Sequence, residues 1–260
     1  MNTELIDLTI LGPAMLAGLL VLSTHVPLGQ QVLSRGIIFI DLAIAQVAGL
    51  GVVVAGTMDW AFYGIATQLS AISAAFMATF LLFWIEQKFP EVQEAFIGVL
   101  FVLAATASIL MLAENPHGGE HLKEILVGQI LWVTPAMLWP VAVVYFGVLA
   151  LWFKPGRLNS FMFYALFAVT VTASVQLVGV YLVFATLIVP ALASRQLQGW
   201  RRLATGYSMG IIAYALGLLV AMLFDLPPGT VIVWSLAVCG VVTAMIIART
   251  QHLRLQLDGA

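Results

Sequence analysis

An all-α, polytopic membrane protein of eight to nine transmembrane helices, some short or broken, is the fold class this sequence predicts, and three observations carry it. Of 260 residues, 62% are hydrophobic and 8% charged, against roughly 25% charged in soluble domains; the mean hydropathy is +1.08. Apolar runs long enough to cross a bilayer, about 20 residues as helix, recur from Ile10 to Ile247. Lys and Arg gather at alternate boundaries between those runs, the pattern of chains whose basic loops stay on one side of a membrane.

Backbone facing lipid must satisfy its own hydrogen bonds, so each apolar run reads as a helix. In order the spans fall at 10–29, 36–56, 60–85, 95–113, 122–153, 160–176, 177–194, 202–223 and 230–248. Pro135 and Pro140 lie inside the fifth and predict a break there, because proline interrupts the helical ladder. The sixth and seventh are short for full spans. No room remains for a separate soluble domain, so residues 1–260 form one transmembrane domain. Arg35, Lys88, Lys154, Arg157, Arg195, Arg201, Arg202, Arg249 and Arg254 fall on one side of this layout and only Lys123 on the other. The basic side is cytoplasmic by the positive-inside rule, which places the amino terminus outside and the carboxyl terminus inside. "MNTELID" carries Glu4 and Asp7 without Lys or Arg, the wrong flank for a cleaved signal, so the first span is expected to be retained. Cys239 is the single cysteine, which excludes an intramolecular disulfide. Trp60, Trp132, Trp152, Trp200 and Trp234 sit near predicted interfaces, as residues that meet membrane lipid there do.

Several segments resemble, in order, the permease subunit of ABC-type zinc and manganese importers. They are "VPLGQQVLSRGIIFIDLAIAQVAGLG" (26–51), "EAFIGVLF" (94–101), "ILVGQILWVTP" (125–135), "VQLVGVYLVFATLIVPALASR" (175–195) and "DLPPGTVIV" (225–233). The resemblance covers nearly the whole chain and keeps Gly29, Arg35, Asp41, Gly98, Gly128, Pro190, Asp225 and Gly229 in place. It implies a permease in the bacterial cytoplasmic membrane, paired with a second permease subunit, usually as a homodimer. A separate cytoplasmic ATPase would drive it and an extracytoplasmic metal-binding protein would load it. Zinc or manganese would be the cargo, with no permanently bound cofactor and no nucleic-acid partner. The chain itself contains no G-x-x-x-x-G-K-[ST] phosphate loop, so ATP hydrolysis of that kind belongs to a partner. "SRQLQGWRRLA" (194–204) is the natural coupling element: Arg195, Gln198, Trp200, Arg201 and Arg202 would form a short amphipathic helix in an ATPase groove. The other reading of the same residues is a set of positive-inside anchors with an interfacial Trp.

An ionisable residue at membrane depth is costly, at least ~2.5 kcal/mol on insertion scales, and marks function by default. Asp41 is such a residue. In the family this position opens a motif Asp-Ala-x-Ser-His whose Asp and His look like metal ligands or gate residues. Here the chain reads Asp41-Leu42-Ala43-Ile44-Ala45 followed by Gln46: the Asp is kept, the Ser and His are lost, and Gln46 offers a hard oxygen that suits zinc poorly. His25 is a candidate replacement. A turn near Leu33 would bring His25 and Asp41 to similar depth on antiparallel neighbours, an acceptable imidazole and carboxylate pair for zinc or manganese. Against this, His25 would bond a backbone carbonyl near Pro27 and Asp41 would pair with Arg35.

"ENPHGGEHLKE" (114–124) is the most polar stretch of the chain and holds two of its four histidines. Its glycines let the backbone bend back, so His117, Glu120 and His121 can converge on one ion at the outer mouth, with Glu114 or Glu124 as a further ligand. The plainer reading is a solvated loop. Imidazoles there favour zinc over manganese. Two other functions compete with the metal importer. An iron-chelate or corrinoid permease would need no ionic ligands, and a membrane-embedded zinc hydrolase would use His117, Glu120 and His121 with the Glu as general base.

Overall fold

Pro27 lies in the middle of the first apolar run and does not end it. A helix runs from Leu8 to Arg35 (α1) straight through Pro13 and Pro27. Proline supplies no N–H, which leaves the Ser23 carbonyl one turn back without its helical partner. The Tyr207 hydroxyl donates to that oxygen at 2.8 Å, so the helix continues well past the predicted end at residue 29. Gly36 then reverses the chain at a left-handed φ of +75°.

The computed structural model describes residues 8–258 apart from 59, 61–63, 114–122, 124 and 155–158. After α1 come α2 (Ile40–Thr57), α3 (Ile65–Lys88), α4 (Gln93–Leu112), α5 (Pro135–Trp152), α6 (Ser160–Val178), α7 (Val180–Ala193), α8 (Gly199–Phe224) and α9 (Pro228–Asp258). The protein is all-helical, and eight of these helices are long and apolar enough to cross a membrane. The exception is α7, with 14 residues, or about 21 Å of helix against a hydrocarbon core of about 30 Å.

The predicted break in the fifth span is present but lies ahead of the prolines. Residues 125–127 are helical, Gly128 takes φ +71°, and a single 3-10 turn (Ile130–Trp132) leads into α5. Pro135 opens α5, where its missing N–H costs nothing, and Pro140 stays inside it. The boundary between the sixth and seventh spans is Gly179, at φ +81°. These two left-handed glycines meet back to back. A Cβ on Gly128 would stand 2.2 Å from the Val178 carbonyl carbon, and one on Gly179 2.4 Å from the Gly128 nitrogen. Only bare backbone lets the 128–129 segment cross the joint between α6 and α7.

Lipid is as apolar as leucine, so helices here associate through close packing and buried polar contacts. The bundle centre is built from α1, α2, α6 and α7. α2 packs along α3 and α4, while α1 packs on α7 and α8, and α9 covers α7 and α8. Small residues make the α2–α3 contact: Gly51 lies so close to α3 that an added Cβ would stand 2.8 Å from the Ser70 carbonyl oxygen, and the Ser70 hydroxyl donates to the Gly51 carbonyl at 2.7 Å. Thr186 and Tyr214 share a buried hydrogen bond of 2.7 Å between α7 and α8. Tyr145 and Ser174 share a buried hydrogen bond between α5 and α6.

Candidate functional site

Asp41 stands in the first turn of α2 and is 1% exposed. Neither carboxylate oxygen has a hydrogen-bond partner. The backbone amides of Asp41 and Leu42 are its electrostatic neighbours, at a geometry short of a hydrogen bond. That position has a physical logic: the amino end of a helix carries partial positive charge and favours a carboxylate. Five residues on, Gln46 is buried as well, and its Oε1 also lacks a partner. Three oxygens on one helix therefore stand desolvated without a donor, an expensive condition for polar groups unless something else supplies positive charge.

Arg35 does not supply it. Its Nη1 donates to Glu86 Oε1 at 3.2 Å and to Ser160 Oγ at 3.3 Å, and its guanidinium lies 4.4 Å from the centroid of the Phe163 ring. Together with the 2.6 Å bond from Gln93 Nε2 to the Tyr164 hydroxyl, this ties the basic ends of α1, α3, α4 and α6. The Arg35–Asp41 pairing is not formed, because α3 brings Glu86 to the arginine first.

Nor does the structure make His25 a neighbour of Asp41. The chain turns at Gly36 and not near Leu33, so His25 lies ten residues back from the end of α1, about 15 Å along the helix, while Asp41 begins the next one. α1 and α2 do not pack along each other, since α1 faces α7 and α8. The buried His25 ring places Nδ1 2.9 Å from the Val21 carbonyl oxygen and 3.1 Å from Thr24 Oγ1, and Nε2 has no partner. The backbone alternative is thus right in kind, with Val21 in place of a carbonyl near Pro27. Among the described residues no three His, Cys, Asp or Glu side chains converge as a metal site. His117, Glu120 and His121, with Glu114 and Glu124, lie outside the described residues.

Sequence reasoning passed over Glu94, which opens α4. Its Oε1 accepts a 3.3 Å hydrogen bond from the Phe39 amide just ahead of α2, so a second carboxylate meets the amino end of the helix that carries Asp41. Phe39 also stacks on Phe184 of α7, with ring centroids 6.2 Å apart and planes 7° from parallel. Beside Leu42 lies an apolar cavity of about 400 Å³, walled by Phe101, Val127, Tyr181, Phe184 and Val233. Tyr181 is 51% exposed there although α7 is otherwise among the most buried helices.

The coupling segment is not a separate amphipathic helix. Residues 194–198 form a turn, closed by bonds from the Ser194 hydroxyl to the Pro190 carbonyl at 2.7 Å and from the Leu197 amide to the Ser194 carbonyl at 3.0 Å. Gly199, at φ +56°, then starts α8 directly. Arg195, Gln198, Trp200 and Arg201 are exposed, whereas Arg202 is half-buried against the bundle.

Comparison with known proteins agrees with this architecture. The model of the ABC 3 transport family matches residues 7–157 and 155–248. The "Manganese transport system membrane protein MntC" of Halalkalibacterium halodurans is 23% identical over 252 residues, which cover 88% of this chain and 85% of that protein. A "Probable metal transport system membrane protein" of Chlamydia trachomatis is 25% identical over 228 residues, covering 79% and 78% respectively. The solved structure "PsaBC from Streptococcus pneumoniae in complex with Fab" shares the fold at a TM-score of 0.78 and 20% identity, over 98% of this chain and 100% of that one.

Proposed function

The chain belongs to the ABC 3 transport family as the non-catalytic, multi-pass membrane permease of an ABC metal transporter, and from that premise we propose that it carries manganese past Asp41. Family membership removes the hydrolase reading. The observation that carries the choice of metal is the Asp41 carboxylate, an oxygen donor buried without a partner. Oxygen-only ligands suit manganese, whereas zinc prefers imidazole and thiolate. The Halalkalibacterium relative, named as a manganese transport system membrane protein, points the same way. A chelate or corrinoid permease would have no use for a buried, unpaired carboxylate.

The mechanism follows from the parts. A metal-binding protein delivers the ion on the outer side, and the His117, Glu120 and His121 loop holds it weakly at the mouth. Two copies of the permease meet across the apolar face around Tyr181, so that the cavity beside Leu42 faces the path, and a reorientation of α2 brings Asp41, buried in this conformation, out to it. Such an interface is self-complementary, as a two-fold dimer requires. The partner ATPase grips Arg195, Gln198, Trp200 and Arg201 at the basic, cytoplasmic end, and its closure reorients the helices that carry Asp41. Competition in reconstituted vesicles tests the metal: excess unlabelled manganese should suppress labelled manganese uptake more strongly than equal zinc does. Stronger suppression by zinc would return the assignment to zinc and give the loop imidazoles the selective role.

A further inference from the structure

A second polar site lies at the Lys- and Arg-rich end of the bundle, apart from Asp41. A cavity of about 240 Å³ opens between α1, the end of α5 and the start of α8, with Gln30, Arg202, Trp152 and Phe153 around it and Pro27 and Leu203 toward its apolar side. Two of its donors are buried with nothing to donate to, Gln30 Nε2 and Arg202 Nε. The Gln30 amide faces α8, since a Cβ added to Gly206, one turn beyond Arg202, would stand 3.7 Å from its nitrogen. No Asp or Glu lines the cavity, and Arg202 makes no ion pair among the described residues, Glu86 being engaged by Arg35.

An unpaired buried donor is costly, and a charged one more so. An anion presenting several oxygens in the cavity would take charge-assisted bonds from the Arg202 guanidinium, with a turn of the Gln30 amide adding its donor. The surroundings indicate where that anion comes from. Trp152 and Phe153 are aromatic residues of the kind that sit at the headgroup level, and Lys154 follows them in sequence. The apolar side at Pro27 and Leu203 would be wasted on a free, fully hydrated ion, but it suits a glycerol backbone. Basic pockets between helices at this depth attract anionic headgroups. Arg202 is recessed, whereas Trp200 and Arg201 beside it project outward.

We propose that this cavity binds the phosphodiester headgroup of an anionic phospholipid in the leaflet at the basic end, held by Arg202 and Gln30, and so links lipid composition to the base of α8. The assignment stands apart from the choice of transported metal.

The test uses the purified full-length protein, stripped of lipid in neutral detergent. Phosphatidylglycerol, phosphatidylcholine and inorganic phosphate are titrated separately, with bound lipid read by native mass spectrometry and unfolding by tryptophan fluorescence. Phosphatidylglycerol should bind and raise the unfolding temperature, and phosphatidylcholine, which has the same phosphodiester but adds a choline cation that would stand against the Arg202 guanidinium, should bind about tenfold more weakly through like-charge repulsion. Arg202→Gln should lower phosphatidylglycerol affinity by about tenfold or more yet leave the lipid-free protein as stable as before. A residue that merely braced the helices would lower stability without lipid. Arg202→Lys and Gln30→Leu should each give smaller losses, and these two decide the matter if Arg202→Gln does not fold. Equal binding of the two lipids, or unchanged phosphatidylglycerol affinity in the variants, would overturn the proposal. Displacement of the lipid by millimolar inorganic phosphate would overturn the lipid assignment in favour of a soluble anion.

Discussion

Replacing Tyr207 with Phe removes one hydroxyl, and the structure says what that hydroxyl is for. It donates at 2.8 Å to the Ser23 carbonyl, the acceptor that Pro27 leaves without a helical N–H. Interhelical hydrogen bonds in membrane proteins contribute about 0.6 kcal/mol on average and up to about 1.7. This one belongs near the upper figure, because the orphaned carbonyl has no substitute donor on its own helix and an unmet buried acceptor costs about 1–3 kcal/mol. Tyr207→Phe should therefore destabilise the protein by about 1.5 kcal/mol. In a Pro27→Ala background residue 27 regains its N–H and the Ser23 carbonyl its helical partner. The same Tyr207→Phe change should then cost no more than about 0.6 kcal/mol, a coupling of about 1 kcal/mol between residues on α1 and α8. Unfolding the four proteins by denaturing detergent in mixed micelles, followed by tryptophan fluorescence, measures both costs. Equal costs in the two backgrounds would show that the proline does not create the need for the tyrosine.

Gly128→Ala forces a Cβ into the Val178 backbone from a left-handed conformation and should destabilise by about 2–4 kcal/mol, seen as loss of folded protein on size-exclusion chromatography, while Gly147→Ala, which meets nothing within 4 Å, should be neutral or slightly stabilising. Trp200→Ala with Arg201→Glu should abolish copurification of the partner ATPase while the permease still inserts; a complex of unchanged stoichiometry would show that these exposed residues only anchor the helix. His117→Ala with His121→Ala should raise the metal concentration for half-maximal uptake at neutral pH and leave the maximal rate alone. Protons compete for imidazoles below about pH 6.5, so the difference from the unmodified protein should shrink as pH falls; a difference that persists at acid pH would point to a structural effect of the substitutions.

The helices were legible in the sequence because lipid leaves a long apolar run little alternative. Their ends were less so. The first apolar run reads as ending at residue 29, whereas the helix reaches Arg35, and Tyr207, far along the chain, meets the carbonyl that Pro27 frees. The break in the fifth span reads from Pro135 and Pro140, and only the folded chain shows it at Gly128, where the backbone crosses Gly179. At the site, the cost of a charge in an apolar run singled out Asp41. Its isolation was not legible, because the partner of Arg35 comes from α3, 51 residues away, and the depth of His25 depends on where the chain turns. Glu94 carried one available signal, an acidic residue at the head of an apolar segment, the same signal that marked Asp41.

Asp41 is the centre of the account, and ATP-driven uptake of labelled manganese into vesicles that contain the permease, its ATPase and the metal-binding protein tests it most directly. Asp41→Ala removes a buried carboxylate with no hydrogen-bond partner, so the complex should assemble and melt as before, and Asp41→Asn should keep the shape without the charge. Both variants are expected to hydrolyse ATP while uptake falls by at least tenfold, the effect of losing roughly 1.4 kcal/mol of ion stabilisation along the path. Normal manganese uptake by Asp41→Ala in an intact complex would contradict the account and make the carboxylate a structural feature of the α2 amino terminus.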